Sequence, residues 1–188
     1  MGQYYKLAFK HNDGQVVYND RCVGDRGYIM AKLMEHSWMN HPLMVAVARE
    51  MYKNPMRLIW CGDYAEPDEV TNETSGEVEY DKLWGDEDNT HKFDEAVGLF
   101  DYKGKWFCNH DKRLAIPLDK YVKKSSNKNG WCVCPFSLLT AVGNGRGGGD
   151  YDGDNVEQVG FWAWNLVSIE DEMPEGYEMC DIYFKEEW

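Results

Sequence analysis

Residues 40–63 read NHPLMVAVAREMYKNPMRLIWCGD and place a helix directly before a strand. The NHP at 40–42 is a helix-start signal, because proline fits the first turn, where its missing N–H needs no partner. The apolar residues that follow recur at the spacing of one helical face: Leu43, Val47 and Met51. Asn54-Pro55 ends this helix. Residues 57–61 then form a short apolar strand, which Gly62-Asp63 breaks.

Two hairpins are predicted on either side of this helix–strand unit. Residues 3–9 and 15–18 read as strands that Asp13-Gly14, a turn signal, connects. Residues 105–108 and 113–117 read as a second pair of strands joined by a short polar turn. Both pairs would be antiparallel, because a short turn can join strands only in that orientation.

The remaining apolar segments complete the prediction of the fold. Residues 31–38, AKLMEHSW, have helical spacing, so we expect an α+β fold: a mostly antiparallel sheet with helices at about 31–38 and 42–53 packed on it. Residues 159–164, VGFWAW, are apolar at both odd and even positions, so a strand here would have apolar side chains on both faces. This predicts a central strand covered on both faces. Residues 177–184, YEMCDIYF, predict another strand.

The length of the chain predicts its domain organisation. With 188 residues, it is expected to form one domain over 1–188. The stretch 65–92 is polar, acidic and interrupted by glycine, so it is interpreted as an excursion from that domain.

The charge of the chain is negative and uneven. The formal net charge is −13, with acidic residues concentrated in 62–88 and 150–188 and basic residues in 103–128. Such acidity argues against general nucleic-acid binding, which requires neutralisation of phosphates. It is compatible with a protein partner that has a basic surface, and a solvated acidic surface that keeps the protein soluble is the alternative explanation. The expected contact residues are Asp86, Glu87, Asp88, Glu170, Asp171 and Glu172.

Two features of the sequence predict a cytoplasmic protein without a membrane partner. The N-terminus, MGQYYKLAFK, lacks the charged-then-apolar layout of a signal peptide. The longest strongly apolar run, 43–48, is far shorter than the ~20 residues of a membrane span. The six cysteines are therefore expected to be reduced thiols, in the host cytoplasm if a phage encodes the chain.

A glycine-rich stretch, GNGRGGGDYDGDN at 143–155, has three interpretations. Its spacing matches a dinucleotide fingerprint, but acidic residues follow it where a helix should begin, so that motif is excluded. A P-loop is excluded as well, because no Lys-Ser/Thr follows the glycines. A looser nest of amides for a phosphorylated small molecule remains open. Its residues would be Gly143, Asn144, Gly145, Arg146, Gly147, Gly148 and Gly149. The preferred interpretation is a sharp turn with close approach of the backbone, which leads into the strand predicted at 159.

The aspartates of the same stretch suggest a calcium loop. Asp150, Asp152 and Asp154 occupy the first, third and fifth positions of an EF-hand pattern. The pattern then fails, because Asn155 replaces the glycine and Phe161 the glutamate that an EF-hand needs. Only a looser divalent-metal site remains as an alternative.

Cysteine and histidine spacing offers a weak zinc alternative. Cys108, His110, Cys132 and Cys134 would supply four ligands from two neighbouring strands. Structural zinc ligands usually have two or more residues between them, so buried thiols and an ordinary turn histidine are preferred. No cofactor is expected.

No complete catalytic motif is present. Glu35 and His36 offer acid–base groups, and Asp63 follows the end of a strand, where sites often lie. These three residues are the candidates for an enzyme of undefined chemistry, although a half-buried helix histidine is the preferred interpretation of His36.

Five blocks of sequence carry a resemblance: MGQYYK, AKLMEHSW, WCGDYAE, CPFSLLTAVGNGRGGGDY and VGFWAWN. Together they resemble a family of small proteins of bacteria, their phages and other mobile elements. The resemblance spans both ends and much of the middle, and is weakest over 65–92. It implies a genomic setting, and no activity, cofactor or catalytic residue.

Three functions follow as hypotheses. The first is a non-enzymatic acidic interaction protein that inhibits a host defence component, as an anti-CRISPR protein does. The second is a phosphate- or nucleotide-binding protein, or a sponge for signalling nucleotides, that uses the 143–149 loop. The third is a small enzyme.

Overall fold

The computed structural model describes residues 3–14, 16–19, 31–65, 84, 98–123, 132–143 and 151–184. Its strands, numbered in chain order, are β1 (Tyr4–Lys10), β2 (Val16–Asn19), β3 (Ala31–Lys32), β4 (Met56–Gly62), β5 (Trp106–Asn109), β6 (Leu114–Pro117), β7 (Ala141–Val142), β8 (Leu166–Glu170) and β9 (Glu178–Met179). Its helices are α1 (Leu33–His36), α2 (Pro42–Met51), α3 (Asp119–Lys123) and α4 (Pro135–Leu139), with a 3-10 turn at Val156–Gln158.

All nine strands of the described part of the chain belong to one sheet. Their order is β2-β1-β4-β8-β5-β6-β9, with β3 also paired to β1 and β7 to β4. Two pairs, β4–β7 and β6–β9, are parallel, and the others are antiparallel. The prediction of an α+β fold with a mostly antiparallel sheet is therefore confirmed.

The helix–strand unit forms where the sequence predicts it. The Nδ1 atom of His41 accepts the Leu43 N–H at 3.2 Å, which caps the first turn of α2. The helix ends at Met51, two residues before the expected end, because Lys53 adopts a left-handed backbone with φ of 55°. Strand β4 then pairs with β1 over six residues.

The predicted helix at 31–38 is wrong in length. Ala31 and Lys32 pair with β1, and only the four residues Leu33–His36 are helical. The chain leaves the helix because its next backbone groups bond elsewhere: Ser37 C=O accepts from Cys134 N–H at 2.7 Å, and Met39 N–H donates to Cys132 C=O at 2.9 Å. Long-range pairing therefore overrides the local helical spacing.

The predicted strand at 159–164 is wrong. This segment is a series of turns, with φ of 78° at Gly160 and 60° at Trp164, and the strand begins only at Leu166. The turns place Trp162 in the main core and Trp164 in a smaller cluster on the other side of the sheet. A strand would place Trp162 and Trp164 on the same face, whereas the turns send them to two different clusters.

Near the end of the described chain, the predicted strand at 177–184 is confirmed only in its first part. Glu178–Met179 pairs with β6, and residues 180–184 have no strand pairing. The 105–108 and 113–117 hairpin forms as expected in β5 and β6. Helices α3 and α4 carry no clear signal in the sequence, since each has only five residues.

Apolar clusters lie on both sides of the central strands. Alternate residues of β4 divide between them: Leu58 and Trp60 join the main cluster, while Ile59 and Cys61 join the smaller one. Helix α2 is buried around most of its circumference against the main cluster. Among the described residues, no helix has the length and apolar character needed to cross a bilayer.

Candidate functional site

A polar face lies opposite the main core on strands β5 and β8. In the register of this pair, Cys108 lies opposite Ser168 and Trp106 opposite Glu170. The alternating residues of the same strands, such as Phe107, belong to the core. The next residue with this parity is His110, just beyond β5, so its imidazole lies over the same face.

Four side chains form one hydrogen-bonded chain on this face, here called the His110 relay. His110 Nδ1 lies 2.7 Å from the Tyr177 hydroxyl, and Nε2 lies 2.8 Å from Ser168 Oγ. Ser168 Oγ in turn donates to Glu170 Oε1 at 2.5 Å. Since the serine hydroxyl has one proton, it accepts from His110 Nε2–H. Nδ1 therefore carries no proton and accepts from Tyr177.

The surroundings keep the relay in this protonation state. Burial lowers the pKa of His110 below its ordinary value, against the opposing effect of the carboxylates of Glu170 and Asp111. Burial, and secondarily the charge of Glu170, raises the pKa of the neighbouring Cys108 thiol to about 12. The imidazole is therefore neutral and the thiol protonated at neutral pH.

The expected contact residues 170–172 differ in their availability to a partner. Glu170 is the end of the relay, and Asp171 bonds Lys53 at 2.6 Å and Lys105 at 2.7 Å. The Tyr52 hydroxyl also donates to Asp171. Hydrogen bonds from Lys105, Lys53 and Tyr52 hold the pKa of Asp171 well below its usual range. Two of the three carboxylates are thus engaged within the protein.

Beyond Asp171, the chain presents an exposed strip of acidic and apolar side chains. This strip, called the 172–179 strip, consists of Glu172, Met173, Glu175, Glu178 and Met179. Met179 is 58% exposed, which is high for a large apolar side chain. The ion pairs found among the described residues do not include its three glutamates.

The three catalytic candidates do not come together as a site. Glu35 is exposed and accepts the Lys32 backbone N–H at 2.8 Å, which closes the first turn of α1. Asp63 accepts the Tyr4 backbone N–H at 3.1 Å and so fastens the end of β4 to β1. Both carboxylates have local structural roles, which leaves His36 without a catalytic partner among them.

His36 lies in the protein interior. Its side chain is fully buried and stacks on Trp60 with ring centroids 5.6 Å apart. Among the described residues, neither ring nitrogen has a hydrogen-bond partner of good geometry. Burial, together with the nearby His41, lowers the pKa of His36 to about 3. The half-buried helix position expected for it is therefore a fully buried one.

Of the glycine loop, only Gly143 lies within the described residues. A Cβ atom at this position would stand 2.6 Å from the Tyr5 hydroxyl and 2.7 Å from the Gln3 amide, far inside contact distance. Glycine at 143 therefore leaves room for the side chains of Tyr5 and Gln3, while the close approach of backbone expected for the stretch stays a prediction. Residues 144–149, including Arg146, lie outside the described residues.

No metal cluster forms in the part of the chain that the structure describes. Asp152 and Asp154 are exposed, and Asp150 lies outside the described residues. Of the four zinc candidates, His110 has both nitrogens engaged in the relay. Cys132 donates to the Tyr121 carbonyl, and burial raises the pKa of the Cys134 thiol. The four residues are not brought together.

Comparison with protein-family models, curated proteins and solved structures gives no match to this chain. The geometry therefore carries the functional argument. Ser168 and Tyr177, which complete the relay, are not among the residues predicted from the sequence. The available signal was the alternation of Ser168 and Glu170 on one strand face, which has meaning only once their neighbours are known.

Proposed function

We propose that this chain is a non-enzymatic protein-binding factor of a phage or mobile element, and that it inhibits a host defence component with a basic surface. An anti-CRISPR protein is one example of this class. The observation that carries the proposal is the 172–179 strip, where three carboxylates and two methionines are exposed within eight residues of chain. The site of action is the host cytoplasm.

The composition of the strip suits a protein interface. Carboxylates speed the encounter with a basic surface and select against acidic ones. Exposed methionines add adaptable apolar contact, since their side chains are flexible and polarisable. Glu170 and Asp171 support the strip from within, because their bonds fix the chain that leads into it.

The acidic residues Asp86, Glu87 and Asp88 lie outside the described residues and remain a predicted second contact. Their contribution is separable from that of the strip. A variant that reverses only the charges of 86–88 tests them without altering a described contact, so the two acidic segments can be ranked by the affinity that each loses.

The proposal is tested by charge reversal in the strip. The variant carries Glu172→Lys, Glu175→Lys and Glu178→Lys. A matched control carries Asp152→Lys, Asp154→Lys and Glu157→Lys, which are also exposed positions and change the net charge by the same amount. Purified CRISPR effector complexes serve as binding partners, and affinity is measured by calorimetry at low and high salt.

The cellular readout is the plating efficiency of a targeted phage on strains that carry defined defence systems. Expression of the chain is expected to raise plating on at least one strain. The strip variant should lose this effect and the salt-dependent binding, while the control retains both. Equal loss in the two variants, or no rise on any strain, would contradict the proposal.

A further inference from the structure

The His110 relay has a defined direction. Tyr177 O–H donates to Nδ1 of His110, Nε2–H donates to Ser168, and the Ser168 hydroxyl donates to Glu170. A base is thus bonded to a hydroxyl and is oriented from its far side by a second group. This is the general arrangement of an activated nucleophile, with the phenol as the attacking group.

We propose that Tyr177 is an acyl acceptor and that His110 is its general base. The inference concerns a stoichiometric modification of the protein and not turnover, and it rests on the bond between Tyr177 and His110, whereas the partner-binding proposal rests on the exposed strip residues on either side of Tyr177. Ser168 and Glu170 act as positioning residues: they hold the imidazole in the tautomer that leaves Nδ1 able to accept a proton. Ser168 itself is fully buried and so is not the nucleophile.

The charged groups around the pair select the class of donor. The Glu170 carboxylate faces the relay. The Asp111 carboxylate is paired with Arg57 at 2.7 Å, and the Cys108 thiol is protonated. Burial raises the pKa of Tyr177, so its hydroxyl keeps its proton at neutral pH and needs a base, and the nearby cation Arg113 opposes this shift. The negative charge of Glu170 disfavours an anionic phosphoryl donor. The site favours a neutral activated acyl ester.

The step transfers one proton and one acyl group. The Tyr177 oxygen attacks the carbonyl carbon of the ester, and its proton passes to Nδ1 of His110. A C–O bond forms to Tyr177, the bond to the leaving group breaks, and the leaving group departs with the electron pair as an alkoxide, which then takes the proton from Nδ1 and leaves as the alcohol. The transient imidazolium is stabilised by Ser168 and the Glu170 carboxylate.

The assay uses p-nitrophenyl acetate, whose nitrophenolate leaving group is coloured, with peptide mass spectrometry to locate the acetyl group. Tyr64 is the internal comparison, because it is 52% exposed and lies outside the relay. Tyr177 should be acetylated faster than Tyr64. A rate that depends on a neutral histidine is flat above the usual histidine pKa of about 6.5, whereas an unassisted phenol reacts about tenfold faster per pH unit up to about pH 10.

Variants then separate the two roles. His110→Gln is expected to slow acetylation of Tyr177 by about 10²-fold, a typical loss for a general base, and to leave Tyr64 unchanged. Tyr64→Phe should leave the Tyr177 rate unchanged. If His110→Gln does not fold, the pH profile of the unaltered protein decides. Acetylation of Tyr177 no faster than Tyr64, or a rate that rises through pH 9, would overturn the proposal.

Discussion

Acid should destabilise this protein through its buried and half-buried histidines, and most strongly through His36. The imidazole is fully buried, has no partner of good geometry for either nitrogen among the described residues, and has a folded-state pKa of about 3. In the unfolded chain its pKa returns to the ordinary value of 6.5. Between these two values the unfolded state binds a proton that the folded state does not, so stability is complete above pH 6.5 and falls as the pH decreases.

The magnitude follows from the separation of the two pKa values. At pH 5 the solution is about 1.5 pH units below the pKa of the histidine in the unfolded chain. Each unit corresponds to about 1.36 kcal/mol, so protonation of the unfolded state should lower the free energy of unfolding by about 2 kcal/mol relative to pH 8. Because a domain of this kind is stable by roughly 5–15 kcal/mol, such a change is easily measured.

The assay is urea denaturation at pH 8 and pH 5 for the native chain and for His36→Leu, which keeps an apolar side chain against Trp60 but cannot bind a proton. Carboxylates titrate in both proteins, so the difference between them isolates His36. His11→Gln is the control, since His11 is partly exposed and its Nε2 lies 3.7 Å from the Glu50 carboxylate. The free energy of unfolding should fall more between pH 8 and pH 5 in the native chain than in His36→Leu. An equal fall in the two proteins would refute the prediction.

Three further predictions concern single contacts. Gly143→Ala should destabilise the protein by about 1–3 kcal/mol in denaturant unfolding, because the added Cβ would overlap the Tyr5 hydroxyl at 2.6 Å; an unchanged midpoint would contradict the close approach. Tyr177→Phe should cost about 1 kcal/mol through the lost hydrogen bond to the imidazole, with no change in denaturant slope, and an unaltered stability would show that the bond contributes nothing. In a carbon-detected NMR titration, the pKa of Asp171 should lie below the ordinary aspartate value and should rise in Lys105→Met; a carboxyl that titrates normally in both would disprove the ion pairs.

The fold was predictable where the signals are local. The start of α2 at Pro42, its end near Asn54 and the strand that follows all come from capping, helical spacing and proline within one continuous stretch. The β5–β6 hairpin was predictable for the same reason, because a short polar turn separates two apolar runs.

The errors arise where tertiary contacts decide. Residues 159–164 are apolar at both parities, a pattern shared by a strand buried on both faces and by a turn that sends side chains to two clusters. Backbone bonds select the turn: Trp162 N–H donates to Leu139 C=O, and Trp164 N–H to Leu58 C=O. These acceptors lie on other elements, so no local pattern reveals them.

The His110 relay could not be predicted from the sequence, because it too depends on tertiary contacts. His110 meets Ser168 and Tyr177 across 58 and 67 positions of sequence, and the contact depends on the register of β5 against β8. The sequence predicted other roles for two members of the relay: His110 as a possible zinc ligand and Glu170 as a contact for a protein partner. A residue's chemistry was therefore visible, while the neighbours that give it a role were not.

The net charge of a segment does not show how many of its carboxylates can attract a partner, because some of them are bonded within the protein. The segment 150–188 is strongly acidic in sequence, yet within it Asp171 bonds two lysines and Glu170 bonds a buried serine. Neither carboxylate presents its full charge to a partner. Only exposed carboxylates without internal bonds contribute to steering, and in the described part of 170–179 these are the three glutamates of the strip. Reversal of Asp171 would therefore break internal contacts and confuse a binding assay, whereas reversal of the strip glutamates changes the surface alone.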